Sequence, residues 1–294
     1  MKKIVFLTIV ILALSLNAFS ADTFIGHAYY FRCPSLGCVD EAIYARPLFK
    51  KTQNGWQAFP NGKELGNTPN ALDQSYKLFP SEIKWNIYDE GYSLIGEENV
   101  ENKKPVEWWI NAGAAQMRMA PEIIKQNLDK EVDYDTSADL ILSTNENVKF
   151  SNITTRKTKN IADVEIFELT IKNDKHARNR AVSNGIIQKS VTIYSVENVD
   201  VIAILDFQYI SDDIWGTDSV VFAKTGDKWA FVFDGRNLGY DEEFASISLK
   251  TIADFDNDGK SEYIFNLGSG INEYGYILWH DGITKPLTYK FYSH

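Results

Sequence analysis

The sequence has little cysteine and histidine, and it lacks the local motifs that mark several common kinds of enzyme active site. Its 294 residues include two cysteines and four histidines. It contains neither the His-Glu-x-x-His motif of zinc hydrolases nor the Gly-x-Ser-x-Gly motif that presents a nucleophilic serine. No glycine-rich phosphate-binding loop occurs either. The absence of these motifs favours a non-catalytic binding module. A hydrolase of an envelope polysaccharide is the alternative, because two acids on distant strands can form a glycosidase site without a local sequence pattern.

Long apolar runs are absent after residue 20, so the sequence predicts no membrane-spanning helix, which would need about 20 such residues. Residues 1–20 combine Lys2 and Lys3 with an apolar run over 4–16, and Ala18 and Ser20 are the small residues before a cleavage point. This pattern predicts a secretory signal peptide over residues 1–20. We therefore expect an exported protein, periplasmic or extracellular, without an integral membrane segment.

The chain has fewer basic than acidic residues. The chain has 30 Lys and Arg against 40 Asp and Glu, a net charge of −10. Loss of residues 1–20 would remove two lysines and no acid, leaving 28 basic against 40 acidic residues and a charge of −12. Because such a surface repels phosphate groups, nucleic acid and anionic membranes are poor partners. The expected partner is a polymer or protein ligand of unknown identity.

Proline is also scarce, with eight residues, whereas aromatic residues make up 13% of the chain. This composition predicts ordered β-structure rather than a disordered stalk. Short β-branched and aromatic runs between glycine turns predict an all-β fold of antiparallel meanders. Among them, 140–142 and 148–150 are short strands, and 201–205, apolar on both faces, is a central strand. One short helix is predicted at 121–130.

A short sequence pattern occurs twice. Phe-x-Lys-Thr-x3-Trp runs from Phe49 to Trp56 and again from Phe222 to Trp229, each followed by a glycine turn. A looser copy begins at Trp85. We interpret these segments as related hairpins whose tryptophans pack in a core. The repetition predicts a β-propeller-like arrangement, with two packed β-sandwich or half-propeller domains as the alternative.

The candidate domain boundary is an acidic, polar segment at 131–139. It would divide the chain after the signal peptide into an N-terminal β domain over 21–135 and a C-terminal β domain over 136–294. The length allows either two such domains or one propeller that spans both.

The strongest candidate site is the acidic loop from Asp254 to Glu262. Asp254, Asp256 and Asp258 stand at loop positions 1, 3 and 5, Glu262 stands at position 9, and a glycine at position 6 permits a turn with positive φ. Four carboxylates this close repel one another unless a cation lies among them, and hard oxygen ligands suit Ca²⁺. The alternative is an Asp/Asn/Gly turn that binds no ion.

The loop does not fit an EF-hand, because position 12 is Phe265 and the flanking runs predict strands instead of helices. It resembles the calcium loops of FG-GAP and VCBS repeats, as in integrin-type β-propellers. The family usually has Asp where this chain has Glu262, and one copy of the loop is evident. The resemblance implies a ligand set of four side chains and one backbone carbonyl: Asp254, Asp256, Asp258 and Glu262 by their carboxylates, and Lys260 by its carbonyl.

Two further pairs of residues are candidates for structure or binding. Cys33 and Cys38 flank a Pro/Gly turn, which in an exported chain predicts a disulfide, with free thiols as the alternative. Trp108 and Trp109 are adjacent on a predicted strand and therefore point to opposite faces. Burial in the core is the favoured interpretation; the alternative is that one of them is exposed and stacks on a sugar ring.

Overall fold

The structure is a computed structural model, and it describes residues 22–31, 42–59, 83–89, 91–99, 115–117, 140–158, 186–210, 215–238, 245–269, 273–281 and 285–292. These segments contain strands and one 3-10 helix, Gly235–Leu238, but no α-helix. The all-β prediction is therefore confirmed. The helix predicted at 121–130, the signal peptide and the boundary at 135/136 lie outside the described residues and stay predictions.

The strands are β1 (Phe24–Phe31), β2 (Ala42–Thr52), β3 (Gly55–Ala58), β4 (Lys84–Tyr88), β5 (Leu94–Asn99), β6 (Ala115–Met117), β7 (Leu140–Ser143), β8 (Lys149–Phe150), β9 (Ile153–Thr158), β10 (Ile186–Val196), β11 (Val199–Ile210), β12 (Trp215–Thr225), β13 (Lys228–Asp234), β14 (Ser246–Asp254), β15 (Glu262–Ser269), β16 (Glu273–His280) and β17 (Leu287–Tyr292).

These strands form three antiparallel sheets. The first sheet has the order β3-β2-β1-β7-β4-β5, and β6 also pairs with β2. The second sheet is a meander in the order β13-β12-β11-β10-β9, and the third has the order β17-β16-β15-β14-β8. The predicted antiparallel meanders are thus present. A propeller-like ring stays a prediction.

One short segment, 140–158, contributes a strand to each sheet. It supplies β7 between β1 and β4 of the first sheet, then β8 at the edge of the third sheet beside β14, and then β9 beside β10 of the second. The strands predicted at 140–142 and 148–150 are both present. Because β7 follows the predicted domain boundary yet pairs with strands that precede it, this segment joins the two halves of the chain.

The third sheet lies between the other two, since strand alternation gives it two buried faces. On β15 and β16, Ile264 and Leu278 belong to the core shared with the first sheet, which includes Ile25 and Trp85. Their neighbours along the same strands, such as Phe265, belong to the core shared with the second sheet. Each such fully buried side chain contributes about 1.5–3 kcal/mol of transfer free energy.

The second sheet is likewise buried on both faces at its centre. On β11, Ile202 and Ile204 belong to the core shared with the third sheet, whereas Ala203 and Leu205 belong to a separate cluster on the opposite face. All four side chains are buried. The prediction of a central strand at 201–205 is confirmed.

The two repeated segments form matching hairpins. In the β2–β3 hairpin Lys51 lies opposite Trp56, and in the β12–β13 hairpin Lys224 lies opposite Trp229. Each lysine Nζ lies over its tryptophan ring, at 5.5 and 5.6 Å from a ring centroid. Both tryptophans are buried, as is Trp85, so the interpretation of these tryptophans as core residues is confirmed.

Candidate metal site

The acidic loop connects β14 to β15, as its strand-like flanks predict. Asp254 is the last residue of β14 and Glu262 is the first residue of β15. Their strands pair so that Ala253 lies opposite Glu262. The hairpin register therefore fixes both ends of the loop and brings its first and last acids to the same end of the sheet.

The backbone of the loop passes through the left-handed region twice. Asn257 has φ of 58° and Gly259 has φ of 85°. Asparagine is one of the few residues that adopts this region readily, and glycine has no Cβ to oppose it. A Cβ built on Gly259 would meet nothing within 4 Å. Backbone conformation, rather than space, is therefore the reason for glycine at loop position 6.

The aspartates of the loop accept hydrogen bonds from its own amides. Asp258 N donates to Asp254 Oδ1 at 3.0 Å and to Asp256 Oδ1 at 3.3 Å. Gly259 N donates to Asp254 Oδ2 at 3.1 Å, and Lys260 N donates to Asp258 Oδ1 at 2.8 Å. These bonds fold the carboxylates inward and hold the turn together. They are compatible with an ion-binding loop and with the ion-free turn.

Glu262 is the most deeply buried acid of the loop, with 1% of its surface exposed. Its Oε2 accepts a hydrogen bond from Phe255 N at 2.9 Å, and its Oε1 accepts one from the indole Nε1 of Trp56 at 3.2 Å. Burial raises the pKa of Glu262 to about 7; the Phe255 amide opposes this shift, and the charge of Asp256 adds to it. A positive charge nearby would favour the ionised carboxylate.

Three of the five predicted ligands converge. Asp254, Asp256 and Glu262 each present a carboxylate oxygen, and these atoms lie within 4.8 Å of one another. Asp258 is an exposed part of the loop outside this group, and Lys260 contributes its N–H to Asp258. Oxygen atoms at this spacing can surround a hard divalent cation. Because Glu262 is buried, an external polymer cannot reach it easily. The three acids are therefore better placed to bind an ion than to act as acid and base on such a polymer.

The loop is anchored to the protein core at Phe255. This side chain is fully buried and packs edge to face against Phe150 of β8, with ring centroids 5.8 Å apart. The carbonyl of Phe255 accepts a hydrogen bond of 2.7 Å from Asn145 Nδ2, in the turn between β7 and β8. These contacts hold the backbone of the acidic loop in place, and so fix the positions of its acids.

Two neighbours of the loop, Lys51 and Trp56, come from the first sheet. Lys51 Nζ lies 2.5 Å from Asp256 Oδ2 and 3.9 Å from Asp258 Oδ2. Trp56 supplies the hydrogen bond to Glu262 across a sequence separation of 206 residues. The repeated Phe-x-Lys-Thr-x3-Trp pattern marks both residues as parts of a hairpin, but it carries no information about which loop that hairpin touches.

The other candidate residues lie outside the part of the chain that the structure describes. This applies to Cys33 and Cys38 and to Trp108 and Trp109. The disulfide and the ligand-stacking surface therefore stay predictions. Among the described residues, no helix is long and apolar enough to cross a membrane.

The fold and the loop together define an all-β protein of packed antiparallel sheets with a strand-flanked acidic loop. A scan against protein-family models, a search of curated proteins and a search of solved structures each returned no match. The chemistry of the loop and its surroundings is therefore the basis for the function proposed below.

Proposed function

We propose that this chain is an exported, non-catalytic β-protein that binds one Ca²⁺ ion in the 254–262 loop and serves as a binding module of the cell envelope or exterior. The observation that carries the proposal is the convergence of carboxylate oxygens from Asp254, Asp256 and Glu262. The signal-peptide pattern over residues 1–20 supports export. The ligand of the module is a polymer or protein.

Calcium is the proposed ion because every offered ligand is a hard oxygen on a turned loop. Calcium accepts six to eight oxygens with flexible geometry, so the exposed Asp258 carboxylate, backbone carbonyls and water can complete its coordination. Zinc and copper favour nitrogen or sulfur ligands, and among the described residues the cluster contains carboxylates alone.

The proposed role of the ion is structural. It would neutralise the loop acids, one of which, Glu262, joins the end of the β14–β15 hairpin to the first sheet through Trp56. Extracellular modules bind calcium at about 10⁻⁴–10⁻³ M. At calcium tenfold above Kd, binding adds about 1.4 kcal/mol to the free energy of unfolding.

The hydrolase alternative requires two carboxylates beside an exposed aromatic platform at Trp108 or Trp109. Both tryptophans lie outside the described residues. Within the described residues, the carboxylates that converge on one point include the buried Glu262. No described feature favours hydrolysis over the binding module.

Thermal unfolding of the mature chain tests the proposal. Adding Ca²⁺ to chelator-treated protein should raise Tm by a few degrees, and Asp256→Asn should remove most of that rise. Asp227→Asn is the matched control, since Asp227 is an exposed acid in the tight turn between β12 and β13. No rise in the wild-type protein would reject the calcium site.

A further inference from the structure

An ammonium group from the first sheet already lies against the acidic loop. Lys51 Nζ is 2.5 Å from Asp256 Oδ2 and 3.9 Å from Asp258 Oδ2, and it lies 5.5 Å from the centre of a Trp56 ring. Asp256 is also one of the three acids whose oxygens converge. The lysine and a divalent ion would therefore use the same carboxylate.

The position of Lys51 is set by the hairpin and not by the loop alone. Lys51 pairs with Trp56 across the β2–β3 ladder, and the indole of Trp56 is itself fixed by its hydrogen bond to Glu262. The lysine side chain is thus directed over the indole toward Asp256. Its side chain is partly exposed to solvent, which leaves it room to move away from the loop.

We propose that Lys51 is an internal counter-cation of the loop that competes with the divalent ion for Asp256. The inference rests on the proposed calcium site. Without the ion, the ammonium offsets repulsion among the loop acids; when the ion binds, like charge repels the ammonium and Asp256 exchanges one cation for the other. Lys51 thereby weakens the affinity of the loop for calcium and makes the loop stable in its absence.

The second hairpin provides a natural control. Lys224 lies over Trp229 in the same arrangement, but its nearby carboxylate is Asp200, at 4.0 Å, which belongs to the second sheet. Asp200 also accepts hydrogen bonds from Arg156 and Ser195. Replacing Lys224 therefore removes an equivalent lysine–tryptophan contact without changing the charge beside the acidic loop.

Calorimetric titration with CaCl₂ tests the inference on four proteins: wild type, Lys51→Met, Lys51→Gln and Lys224→Met. Both Lys51 variants should bind calcium with a Kd roughly two- to fivefold lower than that of the wild type, the range for loss of one partly exposed competing charge. They should also melt below the wild type in chelator. Lys224→Met should leave the calcium Kd unchanged.

The outcomes separate this inference from the calcium site itself. If the wild type binds calcium and neither folded Lys51 variant binds it more tightly, competition by Lys51 is wrong while the calcium site stands. If no protein in the set releases or absorbs heat on titration, the calcium site is wrong and the inference fails with it. Circular dichroism identifies a variant that fails to fold. If one Lys51 variant fails to fold, the calcium Kd of the other Lys51 variant tests the competition.

Discussion

The indole Nε1 of Trp56 donates a 3.2 Å hydrogen bond to Oε1 of Glu262, and so connects the β2–β3 hairpin to the acidic loop. Both side chains are buried, and Glu262 is 1% exposed. A buried carboxylate is costly unless donors satisfy it. The bond therefore explains how Glu262 is accommodated at the contact between the first and third sheets.

Replacing Trp56 by Phe tests this contact. The change keeps an aromatic ring in the core but leaves Glu262 Oε1 without its indole donor. We expect the free energy of unfolding in chelator to fall by about 1–3 kcal/mol beyond the effect of the smaller ring. Trp229→Phe in the matching hairpin is the control for ring size. Urea unfolding measures the free energy of unfolding of both variants. Equal decreases in the two variants would show that the hydrogen bond contributes nothing to stability.

Replacing Gly259 tests the backbone of the loop. Its φ of 85° and the open space around it mean that conformation alone opposes a side chain. Gly259→Val should destabilise the protein by about 1–2 kcal/mol, because a β-branched residue is strained at positive φ. Gly259→Asn should cost clearly less, since asparagine adopts this region. Equal melting temperatures for the two variants would contradict the assigned turn.

Asp206 on β11, outside the acidic loop, should make the stability of the protein depend on pH. Burial raises the pKa of Asp206, although a hydrogen bond of 2.7 Å from the Ser219 hydroxyl opposes the shift. Because the folded-state pKa exceeds that of the unfolded chain, about 3.9, the protonated carboxyl favours folding at low pH. That contribution is lost as pH rises through the folded-state pKa.

Asp206→Asn should therefore raise Tm at pH 7, because the amide resembles the protonated acid and still offers Ser219 an oxygen acceptor. The difference from the wild type should shrink as the pH is lowered toward 4. Asp227→Asn, an exposed change of the same chemistry, should show no such trend. A wild-type protein that is more stable than Asp206→Asn at pH 7 would contradict the sign of the effect.

Local sequence patterns predict the hairpins and the loop but not their contacts. Alternating and β-branched runs identify β14 and β15 on either side of the acids, and the apolar run at 201–205 identifies a central strand. These are short-range signals, since side-chain period and turn residues act within a few positions.

The contacts that complete the candidate site are long-range. The strands at 140–142 and 148–150 are visible in the sequence, yet nothing local indicates that β7 joins the first sheet and β8 the third. The same is true of Lys51 and Trp56, whose hairpin reaches the loop only after the sheets pack together. Strand partners and packing faces depend on the whole core, which a local pattern does not encode.

Calorimetric titration of the purified mature chain with CaCl₂ after chelator treatment tests the calcium site most sharply. We expect binding of one ion per chain, with a Kd of about 10⁻⁴–10⁻³ M, and loss of that binding in Asp256→Asn. Absence of binding heat in the folded wild-type chain over this concentration range would contradict the calcium site and leave the loop as an ion-free turn held by its own amides and Lys51.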